Sequence, residues 1–315
     1  MSTLTYRGEV ITPDFIEEDF ISAIETAMNR SYYFRDKFFE IRRISQTDEN
    51  DLGYDGVLTT LVPFYIQFKR SEFYSPNFTG KLLTQRSAVS LPVDKGFFAF
   101  HLLHKAGSYG QHNALYKLAQ RCKAAYVAPM FYKSADLSFL KTLGSRALPI
   151  HYDDIVFYNP DRGLNINIKN VQLFRRSITI PPHAVINDQN SSHHYSYCRA
   201  SKIGFHSDPI NVENSGSQNL YFFIREVLGR TSEGNSNSLV DELYNLLPEL
   251  FGWKSNSEEF KAILGNSIER ISRNDRTVEV DALIEKFDIV DKLMIVEDVL
   301  YNYFGIRQLI SFEFR

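Results

Sequence analysis

Asp51-Leu52-Gly53-Tyr54-Asp55-Gly56-Val57-Leu58-Thr59-Thr60-Leu61-Val62-Pro63-Phe64-Tyr65-Ile66-Gln67-Phe68-Lys69-Arg70 is the stretch on which the fold turns. Its second half, Phe64 to Arg70, is rich in aromatic and β-branched residues. It follows Pro63 and ends on Arg70-Ser71-Glu72, which reads as a strand and its stop. Side chains alternate along a strand, so Phe64, Ile66 and Phe68 share one face and Tyr65, Gln67 and Lys69 the other. A glutamine and a lysine inside an apolar strand are costly to bury without partners. Asp55 lies twelve positions before Gln67, at the start of a second apolar run, Val57 to Thr60. A short connection through Leu61-Val62-Pro63 predicts an antiparallel pair, residues 54–60 on 64–70, because it is too short for a parallel crossover. Asp55, Gln67 and Lys69 then meet at one end of the sheet.

A carboxylate with a second oxygen ligand suits Mg²⁺, which keeps several of its waters. The ion lowers the pKa of water and stabilises charge on a phosphate. A lysine beside it can orient the water and offset transition-state charge. Asp55 followed by Gln67-Phe68-Lys69 resembles the PD-(D/E)xK nuclease superfamily, and within it the Mrr-type restriction endonucleases, over residues 13 to 135. The resemblance implies an α/β fold with a restriction-endonuclease-like core, and Mg²⁺-dependent hydrolysis of phosphodiester bonds. It makes Asp55 and Gln67 metal ligands and Lys69 the residue that positions water. It also implies DNA ahead of RNA and a role in prokaryotic defence against foreign DNA. Gln67 replaces the usual acid, a variant of the Mrr type that removes one charge from the metal site. Exchange of Gln67 for Glu is then expected to retain or strengthen Mg²⁺ binding. The same residues also suit the exposed face of an ordinary strand beside an Asp-Gly turn. A catalytically inactive subunit of a defence assembly, binding nucleic acid or protein, is the alternative.

Before this stretch, Thr12 is a good N-cap and Pro13 suits a first helical position. Phe15, Ile16, Phe20, Ile21, Ile24 and Ala27 form a helical stripe. Glu17 faces Phe20, Ile21 and Ile24 and so lies on the buried side. The resemblance makes it an auxiliary metal ligand on the first helix, while a surface acid favoured by the helix dipole is the plainer reading. Phe38 to Arg42 reads as a strand. After the stretch, residues 72–95 read as a loop with short helical pieces. Arg70, Lys81 and Arg86 are expected to form a basic rim for phosphates. Phe97 to Leu103 reads as a strand, Gly110 to Arg121 as a helix and Ala124 to Phe131 as a buried strand. Gln111 opens that helix and is a candidate nucleic-acid or metal-water contact, with plain end-capping the simpler role.

The remaining chain changes character. Residues 134–143 read as a helix. Residues 155–158, 164–168, 171–174 and 177–180 read as short strands. Residues 207–217 read as a linker, and then helices run from 220–228, 239–251, 257–271 and 278–303, the last broken near Asp288. Gln308 to Phe314 reads as a strand. The expected organisation is a nuclease domain over 1–150, a β-rich extension over 151–215 and a helical C-terminal region over 216–315. The helical region is a candidate for self-association or for docking a partner protein.

A hydrophobic share of 43% and a charged share of 23% describe an ordinary globular chain with an ample core. The net charge of −3 means that any nucleic-acid footprint is local. Cys122 and Cys198 are too few for a disulfide framework and suit a reducing cytoplasm. No uncharged run approaches a membrane span, and residues 1–7 lack an apolar signal core, so no membrane role is expected. His193, His194, Cys198 and His206 match no zinc-site spacing.

Overall fold

The structure, a computed structural model, describes residues 10–29, 31–34, 37–44, 58–103, 109–145, 156–159, 163–166, 172–187, 192–206, 210–211, 216, 218–233, 237–254, 257–271 and 287–314. Asp55, the segment 54–57, most of the 207–217 linker and residues 278–286 lie outside these. In chain order the elements are β1 (Val10–Ile11), α1 (Glu17–Met28), β2 (Ser31–Phe34), β3 (Lys37–Arg42), β4 (Leu58–Phe68), β5 (Glu72–Tyr74), α2 (Lys81–Ala88) and β6 (Phe97–His101). Then come α3 (Gly110–Ala119), β7 (Ala124–Pro129), α4 (Ser134–Ser145), β8 (Val156–Asn159), β9 (Gly163–Ile166), α5 (Gln172–Arg175), β10 (Ser177–Ile180), β11 (His194–Tyr197) and β12 (Ile203–His206). The chain continues through β13 (Ile210–Asn211), β14 (Gln218–Asn219), α6 (Leu220–Glu233), α7 (Asn237–Leu250), α8 (Glu258–Ile271), α9 (Ile289–Phe304) and β15 (Arg307–Phe314).

These elements make a mixed α/β fold with two sheets. The larger has nine strands in the order β14-β10-β7-β4-β15-β3-β2-β9-β8, and the smaller six in the order β1-β5-β6-β11-β12-β13. The strands of the three expected sequence segments meet in the larger sheet, where β4, β10 and β15 all lie. β4 runs parallel to β7, with Tyr65 opposite Ala124 and Phe68 opposite Val127. On its other side β4 is antiparallel to β15, with Ile66 opposite Arg307 and Val62 opposite Ser311.

The expected hairpin does not form. Leu58 to Phe68 is one unbroken strand that passes straight through Pro63, so residues 58–60 cannot fold back on 64–68. The antiparallel partner comes from the C-terminus of the chain instead. The strand tolerates Pro63 because of what lies beside it. Tyr65 N–H donates to Lys123 O at 2.8 Å and Lys69 N–H to Val127 O at 2.9 Å, so the odd-numbered amides of β4 face β7. β7 begins only at Ala124, and Pro63 sits beyond its end, where no ladder donor is required.

The alternation read from the sequence holds on β4. Phe64, Ile66 and Phe68 join Phe20, Ile21 and Ile24 of α1 in one core, which also takes in residues of α4, α5 and α6. Phe20 meets Phe68 edge to face, with ring centroids 6.0 Å apart. Tyr65 points the other way, into a core shared with α3, α7, α8, α9 and the smaller sheet. β4 is therefore covered on both faces. α1 begins at Glu17, not at Pro13. The reason lies across the chain: Asp14 N–H donates to Tyr132 O at 3.1 Å, and the Asp14 carboxylate accepts the Ser134 amide. That docking keeps residues 13–16 out of the helix, and Asp19 caps the helix by accepting Ile16 N–H at 3.1 Å. Residues 171–174 are expected as a strand, but Gln172–Arg175 forms the single helical turn α5.

Candidate active site

The chain leaves the larger sheet at Phe68 and enters the smaller one at Glu72. Tyr197 pins this corner by donating its hydroxyl to Pro129 O and accepting the Ser71 hydroxyl, both at 2.7 Å. A cleft of about 510 Å³ opens there, lined by Glu17, Gln67, Lys69, Arg70, Glu72, His101, Gln111 and Gly305 among others. The residues come from α1, β4, β5, β6, α3 and the turn between α9 and β15. Of the sequence-derived candidates, Glu17, Gln67, Lys69, Arg70 and Gln111 line this one cleft. The cleft lies at the carboxyl ends of the parallel pair β4 and β7.

Gln67 is 3% exposed. Its Nε2 donates to Gln111 Oε1 at 3.0 Å and to Phe304 O at 3.1 Å. A backbone carbonyl can only accept, so this contact fixes which end of the amide is nitrogen. Gln67 Oε1 is buried and has no hydrogen-bond partner among the described residues. A buried acceptor left in this state calls for a cation or a water.

Glu17 is half-buried, and its Oε2 accepts the Arg70 backbone N–H at 2.9 Å. This bond ties the first residue of α1 to the residue after Lys69. Burial pushes the Lys69 ammonium below its ordinary pKa, and the Glu17 carboxylate pulls the other way. The Lys69 Nζ also stands 5.9 Å from the centroid of the Tyr126 ring. A lysine with a disfavoured charge beside a carboxylate in a cleft is the pattern that marks a working group.

Two parts of the expected rim separate. Lys81 is exposed at the start of α2. Arg86 is no surface cation: it is 0% exposed. Its Nε donates to Pro92 O at 2.9 Å, its Nη1 to Ser196 Oγ at 2.7 Å and its Nη2 to Lys202 O at 3.0 Å. Burial draws its pKa down to about 10. Arg86 is on the inward side of α2, where the helix packs on β12, and it staples that packing. Its partners Ser196 and Lys202 lie more than a hundred residues along the chain, and no local pattern in residues 81–88 announces them.

Glu72, His101 and the Phe304-Gly305 turn were not anticipated. Glu72 is only three residues beyond Lys69, a spacing that could have drawn attention to it. His101 pairs across the strands with His194, the two Nε2 atoms lying 2.8 Å apart. The turn comes from the far end of the chain, and no local signal connects it with Gln67.

Glu17 and Gln67 supply hard oxygen atoms of the kind Mg²⁺ takes. The unpartnered Gln67 oxygen is the observation that fits such an ion. Among the described residues, no three His, Cys, Asp or Glu side chains stand close enough together to hold a metal, so the described set is two oxygens. Among them, too, no helix is long and apolar enough to cross a membrane. No protein-family model, curated protein or solved structure matches this chain, so the cleft is interpreted from its own residues.

Proposed function

We propose that the chain is a Mg²⁺-dependent nuclease with a restriction-endonuclease-like core, hydrolysing phosphodiester bonds of DNA at the cleft between α1, β4, β6 and α3. The observation that carries this reading is the gathering of Glu17, Gln67, Lys69 and Gln111, far apart in sequence, around one cleft. Glu17 and the Gln67 oxygen would hold the ion, together with Asp55, which the sequence motif adds. When bound, the ion supplies Lewis acidity to the phosphate and to water. Lys69 orients the attacking water and offsets charge as it builds on the phosphate. Burial lowers its pKa, which eases release of its proton to the reacting groups. The Glu17 carboxylate offsets part of the burial of the Lys69 charge, and Arg70, in the cleft lining, draws the phosphate backbone to it. The role against foreign DNA rests on the family resemblance alone.

A second reading has an observation of its own. The described site holds a neutral amide where an acid is usual, which suits a subunit that binds nucleic acid without cutting it. Incubation of plasmid DNA with and without Mg²⁺ separates the two. Wild type is expected to nick or linearise the plasmid only with Mg²⁺. Lys69→Ala should lose cleavage by roughly a hundredfold or more and keep DNA binding, because its work is confined to the reacting phosphate and water. DNA affinity should fall steeply with added salt. Salt-sensitive binding with no cleavage in any divalent ion establishes the second reading instead.

A further inference from the structure

The Gln67 side chain is held on two sides by groups that only a donor can satisfy as they stand. Phe304 is the last residue of α9, and its carbonyl belongs to the negative end of that helix. Gly305 follows in the left-handed region, at φ 63° and ψ 26°, and ends the helix there. This turn points the Phe304 carbonyl at Gln67 Nε2, 3.1 Å away. The second amide proton goes to Gln111 Oε1 at 3.0 Å. With both protons engaged, the amide plane is set, and Oε1 is the one polar atom of this side chain left without a partner among the described residues.

Position 67 therefore needs both a donor and an acceptor on one side chain. Glutamine has both, whereas an ionised glutamate has two acceptors and no donor. A carboxylate there would face the helix-terminal carbonyl at hydrogen-bond distance without a proton between them. Gln111 could turn its amide to donate, but the Phe304 carbonyl cannot. We infer that the end of α9 and Gln111 together fix Gln67 as a neutral oxygen ligand, which makes Gln111 a positioning residue of the site and excludes a carboxylate at position 67. The inference rests on the metal site proposed above. It runs against the sequence-based expectation that Gln67→Glu retains or strengthens Mg²⁺ binding, and it makes the C-terminal segment a working part of the cleft.

Two arms test it, one without any metal. In chelator, wild type and Gln67→Glu are melted between pH 5 and pH 8. Gln67→Glu is expected to melt about 5 °C below wild type at pH 8. The gap closes toward pH 5, where a protonated Glu carboxyl can donate to the Phe304 carbonyl. Equal melting at pH 8 overturns the exclusion of a carboxylate. In the second arm, calorimetric titration with Mn²⁺ compares wild type, Gln111→Met and Gln111→Glu. Gln111→Met should bind about tenfold more weakly, while Gln111→Glu, which keeps the acceptor for Gln67 Nε2, binds at least as tightly as wild type. Equal affinity of the Met and Glu variants overturns the positioning role, since both fill the same space. If wild type takes up no Mn²⁺ or Mg²⁺ while the metal-free gap is present, the nuclease reading falls and the exclusion of a carboxylate stands. If Gln67→Glu does not fold at pH 8 but folds at pH 5, the exclusion is supported directly.

Discussion

Lys69 and Arg86 carry the same charge and meet opposite fates. Arg86 has three hydrogen-bond acceptors arranged around its guanidinium, which hold it fully buried in one place, and the residue becomes structural. Among the described residues Lys69 has the Glu17 carboxylate and the face of the Tyr126 ring to offset its burial, and burial is the larger influence on it. Its pKa in the folded chain therefore lies below the value of about 10.4 that it has unfolded. Between those two values the unfolded chain binds more protons, so stability rises with pH across that window. Below the folded pKa the penalty is fully present. Lys69→Met should therefore melt higher than wild type at pH 7, by roughly 2–4 °C, and the advantage should shrink toward pH 10. Thermal melts in chelator at the two pH values check this. A variant less stable than wild type at pH 7 would show that the Glu17 attraction outweighs burial.

At the scale of elements, β15 does more than any other strand to make the larger sheet. It lies between β4 and β3 and is antiparallel to both. Ile310 and Phe312 are fully buried. Gln308 adds a polar tie: it accepts the Tyr65 hydroxyl at 2.8 Å and donates to Leu293 O of α9 at 2.9 Å. α9 starts cleanly because Asp288 accepts the amides of Val290 and Asp291 at 2.8 and 2.9 Å. Removing β15 leaves β3 and β4 with facing, unpaired edges and opens both cores. A chain cut after Gly305 should therefore fail to fold, with loss of soluble expression and of the cooperative melt. The sharper variant Ile310→Ala should cost about 2–5 kcal/mol in denaturant unfolding. A truncated chain that melts like wild type would mean that the sheet closes without β15.

Across the whole molecule, histidines concentrate on the smaller sheet and the elements against it. Burial lowers His112, His183 and His194 to about 4 and His206 to about 3. His112 lies between the Tyr126 hydroxyl at 2.9 Å and Ala184 O at 2.7 Å, and His206 contacts Ser196 Oγ at 2.5 Å. These groups are neutral when folded and take up protons near 6.5 when unfolded. Stability should accordingly fall as the pH drops from about 6.5 toward 4, by up to about 1.4 kcal/mol per pH unit for each fully enclosed histidine. Unfolding free energies measured in urea from pH 7 to pH 4.5 test this. A flat profile would mean that the histidines stay solvated in the folded chain.

How much of this was written in the sequence depends on the range of the interaction. The faces of β4, the packing side of α1, the strand at 308–314 and the helix start at Asp288 were all legible, because periodicity and caps act over a few neighbouring residues. The grouping of Gln67 with Lys69 was legible for the same reason. Periodicity tells which face of a strand is buried, but not which strand lies beside it. The partner of β4 was therefore misassigned to its own chain neighbour, although it comes from the C-terminus. Arg86 was misread because a cation's partners decide whether it is buried, and Ser196 and Lys202 are more than a hundred residues away. Only the tertiary structure set the Phe304 carbonyl against Gln67. That contact exists because β15 enters the middle of the sheet and brings the end of α9 with it, and a long-range pairing of this kind leaves no local trace in the chain.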